Sequence, residues 1–270
     1  MDMILLLVLM LAIGAFAGVA AGLLGLGGGI VLVPAFYYAF ASLGYESDGL
    51  MQICVATSLA TIVVTSVRSV LSHHKKGAVE WDILRSWAPG IAIGAVLGVL
   101  LAAGLKSQTL MLVFGVLGVS VGLYMAFGKA AWRLGEQMPT GMARAILSPV
   151  VGFLSVLMGI GGGSFGVPLM SLYGRPIHNA VATATGFGVI IAVPSTVGFL
   201  LNGWGDASAP PFTIGRVNLI AFAVIVSMTM LTAPLGVKLA HMMNPKPLKR
   251  VFAVFITLMA ANMLQTALLA

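Results

Sequence analysis

The sequence predicts an all-α membrane protein of two inverted-topology repeats, each a glycine-broken helical hairpin followed by three transmembrane helices. Three observations carry that expectation: apolar stretches of bilayer-spanning length, a glycine motif written twice, and basic residues that fall to one side. Of the 270 residues, 60% are hydrophobic and 8% are charged. Soluble domains carry roughly 25% charged residues. This chain therefore lacks the polar surface that water requires.

The apolar stretches come first. Met3–Leu24 and residues 49–72, 86–104, 108–127, 180–201, 217–239 and 251–270 each hold on the order of 20 residues, enough to cross a hydrocarbon core. The first has no basic leader, only Asp2, and runs straight into a glycine motif, so it is expected to stay in the mature chain rather than be cleaved as a signal peptide. Cys54 is the single cysteine. It has no disulfide partner and no metal-site spacing, and it reads as small core filler.

The duplication is next. Residues 18–34 read GVAAGLLGLGGGIVLVP and residues 152–168 read GFLSVLMGIGGGSFGVP, identical at eight of 17 positions with an offset of 134. Downstream, Val55-Ala56-Thr57 matches Val181-Ala182-Thr183, and Gly98 and Phe114 match Gly236 and Phe252. The expected division is a first repeat over 1–128, a cytoplasmic linker over 129–143 and a second repeat over 144–270.

Basic residues then set orientation. Each glycine-broken pair is either a hairpin returning to its starting side or one crossing by a broken helix. The hairpin makes the two halves inverted, which leaves only Lys106 and Arg216 outside, a split of 12 to 2. The single crossing makes them parallel, which splits the same residues 8 to 6. Short cytoplasmic loops collect Lys and Arg, so the inverted arrangement is expected, with both termini outside.

The breaks are the first candidate site. Broken membrane helices survive only where protein or a wet cavity satisfies their backbone. The segment after each break begins a helix whose first N–H groups and positive dipole end face the break. Two such ends make an anion site from Gly27, Gly28 and Gly29 in one half and Gly161, Gly162, Gly163 and Ser164 in the other. The bland alternative is that the glycines only let helices pack closely.

Hydroxyls are the second candidate. Thr57, Ser58, Thr61 and Thr65 share a helix face, and Thr183 and Thr185 sit in the second copy. They either donate to an anion or back-bond to carbonyls one turn earlier. Thr57 and Thr183 are favoured because both copies keep them, with Gln52 and Asn202 weaker. No Asp, Glu, Lys, Arg or His is expected in the span cores, so a proton relay has no evident carrier. His73 and His74 read as solvated loop residues beside Lys75 and Lys76.

These residues resemble the sulfite exporter TauE/SafE family: a G-x-G-G-G before a proline, the V-A-T-S of Val55–Ser58 leading to a basic loop with Gly77, and the same order repeated, from Gly18 to about Met263. One departure is Ala182-Thr183-Ala184-Thr185, where the first copy reads Ala56-Thr57-Ser58-Leu59. The resemblance implies a permease for sulfur-containing anions such as sulfite, sulfonates or sulfoacetate, acting in export in the bacterial inner membrane. The alternative left open is an ion-coupled importer of sulfate-like or carboxylate anions. An enzyme is not expected, because the span cores offer no nucleophile with a His or carboxylate partner. No metal and no cofactor is expected either. Expected partners are a small anion and the lipid bilayer, with a homodimer left open and no nucleic acid.

Overall fold

A computed structural model describes residues 3–25, 28–45, 47–128, 132–206, 208–242 and 245–269. Among them run α1 (Met3–Leu24), α2 (Gly29–Ser42), α3 (Leu50–His74), α4 (Trp81–Gly104), α5 (Ser107–Phe127), α6 (Gly141–Leu157), α7 (Gly163–Leu172), α8 (Ile177–Leu201), α9 (Leu219–Met242) and α10 (Pro245–Leu269). A two-residue-per-strand hairpin, β1 (Thr213–Ile214) with β2 (Val217–Asn218), turns the chain into α9. Among the described residues five helices, α3, α4, α5, α8 and α9, are long and apolar enough to cross a membrane. Large apolar side chains such as Ile93, Leu97 and Leu100 on α4 and Val193 and Val197 on α8 stand exposed. An exterior of this kind suits lipid.

The helix pairing keeps its pattern when the two halves are exchanged. α1 packs on α9 while α6 packs on α4, α3 meets both α8 and α9, α8 meets both α3 and α4, and α5 lies along α10. Small residues make these approaches close. A side chain at Gly22 would collide with the Ala233 carbonyl, and one at Gly236 with the Val19 carbonyl. In the other pair, Gly94 meets the Pro149 carbonyl and Gly152 the Ile91 carbonyl. Here glycine acts as the close-packing device familiar from membrane helices. Gly18 and Gly98, part of the repeated text, do the same against Thr229 and Val156.

Loops gather at two ends. At one, Lys106, Arg216, Asp48, Asp206 and Gln52 border a cavity of about 290 Å³, and Ser107 ties α5 to the Asp48 carbonyl at 2.8 Å. Arg216 pairs with Asp206 at 2.6 Å. At the other end, Arg175 pairs with Glu80 at 3.2 Å, and the Leu134 amide donates to the Leu172 carbonyl. His73, His178 and His241 also sit at this second end.

Between the ends, α3 is the buried element. Gln52, Thr57, Ser58, Thr61, Thr65, Ser66, Ser69 and His73 are all at most 2% exposed. Polar side chains thus run the length of a helix whose surroundings are apolar, an expensive arrangement in a membrane and one that usually marks function.

Candidate functional site

The two glycine breaks meet at the centre. Matched Gly25 and Gly159 both adopt left-handed backbone, φ 68° and 62°, and end α1 and α6. A residue with a Cβ resists that conformation, so glycine is the usual helix terminator there. Gly29, the first residue of α2, lies so close to Gly159 and Ile160 that a methyl group on it would overlap the Gly159 carbonyl. Gly159 in turn faces Val33 and Val55.

The breaks differ in detail. Gly28 caps α2 in left-handed backbone at φ 80°, against Ala17, whereas its counterpart Gly162 caps α7 at φ −62°. A Cβ on Gly162 would run into α8 at Phe187 and the Ala184 carbonyl. Gly163 opens α7 as Gly29 opens α2, with Gly161 just ahead of the Gly162 cap. Gly27 lies outside the described residues.

The hydroxyls divide into three groups. Thr61, Thr65 and Thr185 back-bond to the Ser58, Thr61 and Ala182 carbonyls at 2.7, 2.9 and 2.6 Å. Ser58 donates across the halves to the Gly159 carbonyl at 2.7 Å. That carbonyl is freed by the break, and the hydroxyl satisfies it. Thr57 and Thr183 form the third group. Thr57 accepts from the Asn218 amide at 3.0 Å, ahead of α9, and Thr183 accepts from the Glu80 amide at 2.9 Å, ahead of α4. These two bonds exchange with each other when the halves do, and each joins one half to the other. Accepting uses a lone pair and leaves the hydroxyl hydrogen to donate. Gln52 bonds the Leu105 carbonyl, and Asn202 lies exposed at the end of α8.

The first turn of α7 carries what the first turn of α2 does not. Ser164 is buried, and its hydroxyl has no hydrogen-bond partner among the described residues. Ser66, on α3, is in the same condition. Ser66 lies close to the start of α7: a Cβ on Gly188 of α8 would lie 2.5 Å from Ser66 Oγ and 3.6 Å from the Gly162 nitrogen. Buried hydroxyls are normally paired. Ser164 in the first turn of α7 and Ser66 near its start are hydroxyls left to donate beside the positive end of a ten-residue helix, which is chemistry suited to an anion.

Ser66 was not among the residues the sequence singled out. The signal was present, since the α3 stripe continues at helical spacing from Ser58 through Ser66 and Ser69 to His73. The reading of His73 as a solvated loop residue is corrected. It is 1% exposed in the last turn of α3, with Nε2 3.1 Å from the Gly22 carbonyl and Nδ1 3.2 Å from His241 Nε2.

An apolar helical bundle with a buried polar stripe and two broken helices at its centre is a multi-pass membrane protein of the transporter class. The chain belongs to the sulfite exporter TauE/SafE family, whose model matches residues 10–263. A Haemophilus influenzae protein described as "Probable membrane transporter protein" is 30% identical over 257 residues, covering 95% of this chain and 97% of that one. A likewise described Methanocaldococcus jannaschii protein is 25% identical over 270 residues, covering 97% of each. The Bacillus subtilis protein YunE, with the same description, is 28% identical over 216 residues, covering 73% and 79%. No solved structure matches. As a membrane transporter, the chain works within a lipid bilayer on a small-molecule substrate.

Proposed function

We propose that this chain is a secondary transporter or facilitator that exports a small sulfur-containing anion, of the sulfite, sulfonate or sulfoacetate class, across the bacterial inner membrane. The anion rests against the N-termini of α2 and α7. The observation that carries this reading is a pair of buried hydroxyls without a partner among the described residues, Ser164 in the first turn of α7 and Ser66 on α3 near its start. Amides at a helix start have no helical acceptor, and the dipole favours negative charge there. Thr57 and Thr183 supply further hydrogens from either side, while Ser58 holds the break in shape. An interior-negative potential of 100 mV assists outward movement of each negative charge by about 2.3 kcal/mol.

The inverted topology draws support from the loop ends. Arg216 and Lys106 border one cavity, and Arg175 lies with Glu80 at the opposite end. A parallel arrangement needs Arg175 beside Lys106 and Arg216 away from it. Repeats over 1–128 and 144–270, joined by 129–143, agree with the exchange of helix pairs. The basic residues then serve as topological anchors, not as a nucleic-acid face.

The test is a thermal-shift screen of the purified protein against sulfite, sulfate, thiosulfate, taurine, sulfoacetate and short carboxylates. A ligand that binds only the folded state raises its melting temperature by mass action. A shift with sulfur oxyanions supports the reading. A shift with carboxylates alone refutes the substrate class and favours the importer alternative, whose direction counterflow in liposomes resolves.

A further inference from the structure

Three histidines from three helices meet at the basic-loop end. His73 of α3 and His241 of α9 stand with ring centroids 5.3 Å apart, and His178 of α8 stacks on His241 at 5.7 Å and 25°. His178 and His241 are half-buried, while His73 is enclosed. Leu23, Ile177, Val181 and Ala240 pack around them. The carbonyl that His73 touches belongs to Gly22, in the last turn of α1. Gly22 lies three residues before Gly25, whose left-handed backbone follows the end of α1, so His73 grips the first glycine break from the C-terminal side of α1.

We infer that His73, His178 and His241 form a one-proton binding site whose occupancy sets how tightly the first glycine break is held, making the transporter's conformational cycle proton-linked. The bonding pattern assigns the protons. With His73 Nε2–H donating to the Gly22 carbonyl, Nδ1 of the neutral ring is an acceptor, and it is filled by His241 Nε2–H. His241 Nδ1 then remains open. A proton from water binds there, and the charged His241 ring keeps its Nε2–H on His73 Nδ1, 3.2 Å away. One proton has entered, and its charge rests on the half-buried His241 while the enclosed His73 stays neutral. The reverse sequence returns the proton to water.

The groups that face His73 limit the site to one proton. From α9 comes His241, from α8 His178, from α1 only the Gly22 carbonyl, and from its own loop Lys76. Lys238 lies one turn from His241 on α9 and is exposed. No carboxylate is among them, so a second proton would set two imidazolium rings side by side next to Lys76. The single charge strengthens the bond to Gly22 through the His73 ring, because a charged donor on Nδ1 polarises it and hydrogen bonds in a chain reinforce one another. Protonation therefore tightens the break and deprotonation loosens it.

The site is tested without any anion, so the outcome is independent of the proposed substrate. Hydrogen exchange of the 15–25 segment is measured on the full chain in lipid nanodiscs at pH 5 and pH 8, corrected for intrinsic rates. Protection in the wild type is expected to be about tenfold higher at pH 5. His73→Gln keeps an N–H for Gly22 but has no ring to relay the charge of His241, and should show the same protection at both pH values. His241→Gln, at a half-buried position, removes the entry point and supplies the same comparison should His73→Gln fail to fold. Wild-type protection that ignores pH, or a pH response retained in these variants, overturns the inference.

Discussion

Replacing Ser164 by alanine should move stability and affinity in opposite directions. Its hydroxyl is buried with no partner among the described residues, and an unsatisfied buried hydroxyl costs about 1–3 kcal/mol. Ser164→Ala removes that cost with no loss of packed volume beyond one oxygen, so the empty protein should gain about 1–2 kcal/mol. If the hydroxyl donates to a bound anion, its loss weakens binding by about 1.5–3 kcal/mol. That is roughly ten- to hundredfold, since each 1.4 kcal/mol is tenfold. The assay is a melting curve of purified wild type and variant, each with and without the sulfur oxyanion that shifts the wild type most. The variant should melt higher when empty and respond less to ligand. An empty variant that melts lower, with an unchanged ligand response, would refute the reasoning and make Ser164 an ordinary packing residue. Gly162→Ala is a poorer probe, because its methyl group strikes Phe187 before it reaches any ligand.

Thr57→Val and Thr183→Val each strand a backbone N–H, that of Asn218 or Glu80. Each should therefore lower stability by about 1–3 kcal/mol, and by similar amounts, as read from melting of the empty protein. Cysteines at Ser47 and Ser208 should react with impermeant reagents from the periplasmic side, while those at Lys75, Glu136 and Lys246 should not; external labelling at Lys246 would restore the parallel arrangement. The Asp206 carboxyl is held below its usual value chiefly by the Ser208 hydroxyl, with Arg216 adding to the effect. A lowered folded pKa contributes stability above the unfolded value, about 3.9 for aspartate, and loses it as pH falls through the folded value. The melting difference between wild type and Asp206→Asn should thus be constant from pH 7 to pH 5 and shrink only below about pH 4.

Much of the fold was legible because the bilayer simplifies the text. The first helix has the predicted bounds, and the glycine breaks fall where the repeated motif sets them, since left-handed backbone at Gly25 and Gly159 demands glycine. Helix ends near water were harder. Hydropathy closed the second span at residue 72, yet α3 continues to His74 because α1 and α9 cover its last turn. The fate of each hydroxyl was illegible for a related reason. Thr61 and Thr185 answer to carbonyls three residues back, but Ser58 answers to Gly159 and Thr57 to Asn218, more than 100 residues away. Helical spacing places these side chains on a face and carries no information about which backbone group waits there.

The two reciprocal threonine bonds have a consequence for synthesis. Thr57 is already made when Asn218 emerges, so α9 enters with its anchor waiting. α4 has no such anchor at first, because Thr183, which receives the Glu80 amide, is translated about 100 residues later. The tight pairings of α1 with α9 and of α4 with α6 likewise join early chain to late chain. A fragment ending in the linker would leave both glycine-lined surfaces bare to lipid and the start of α4 unmoored. Such a fragment should be short-lived when produced alone and be rescued by the remainder of the chain supplied as a separate polypeptide.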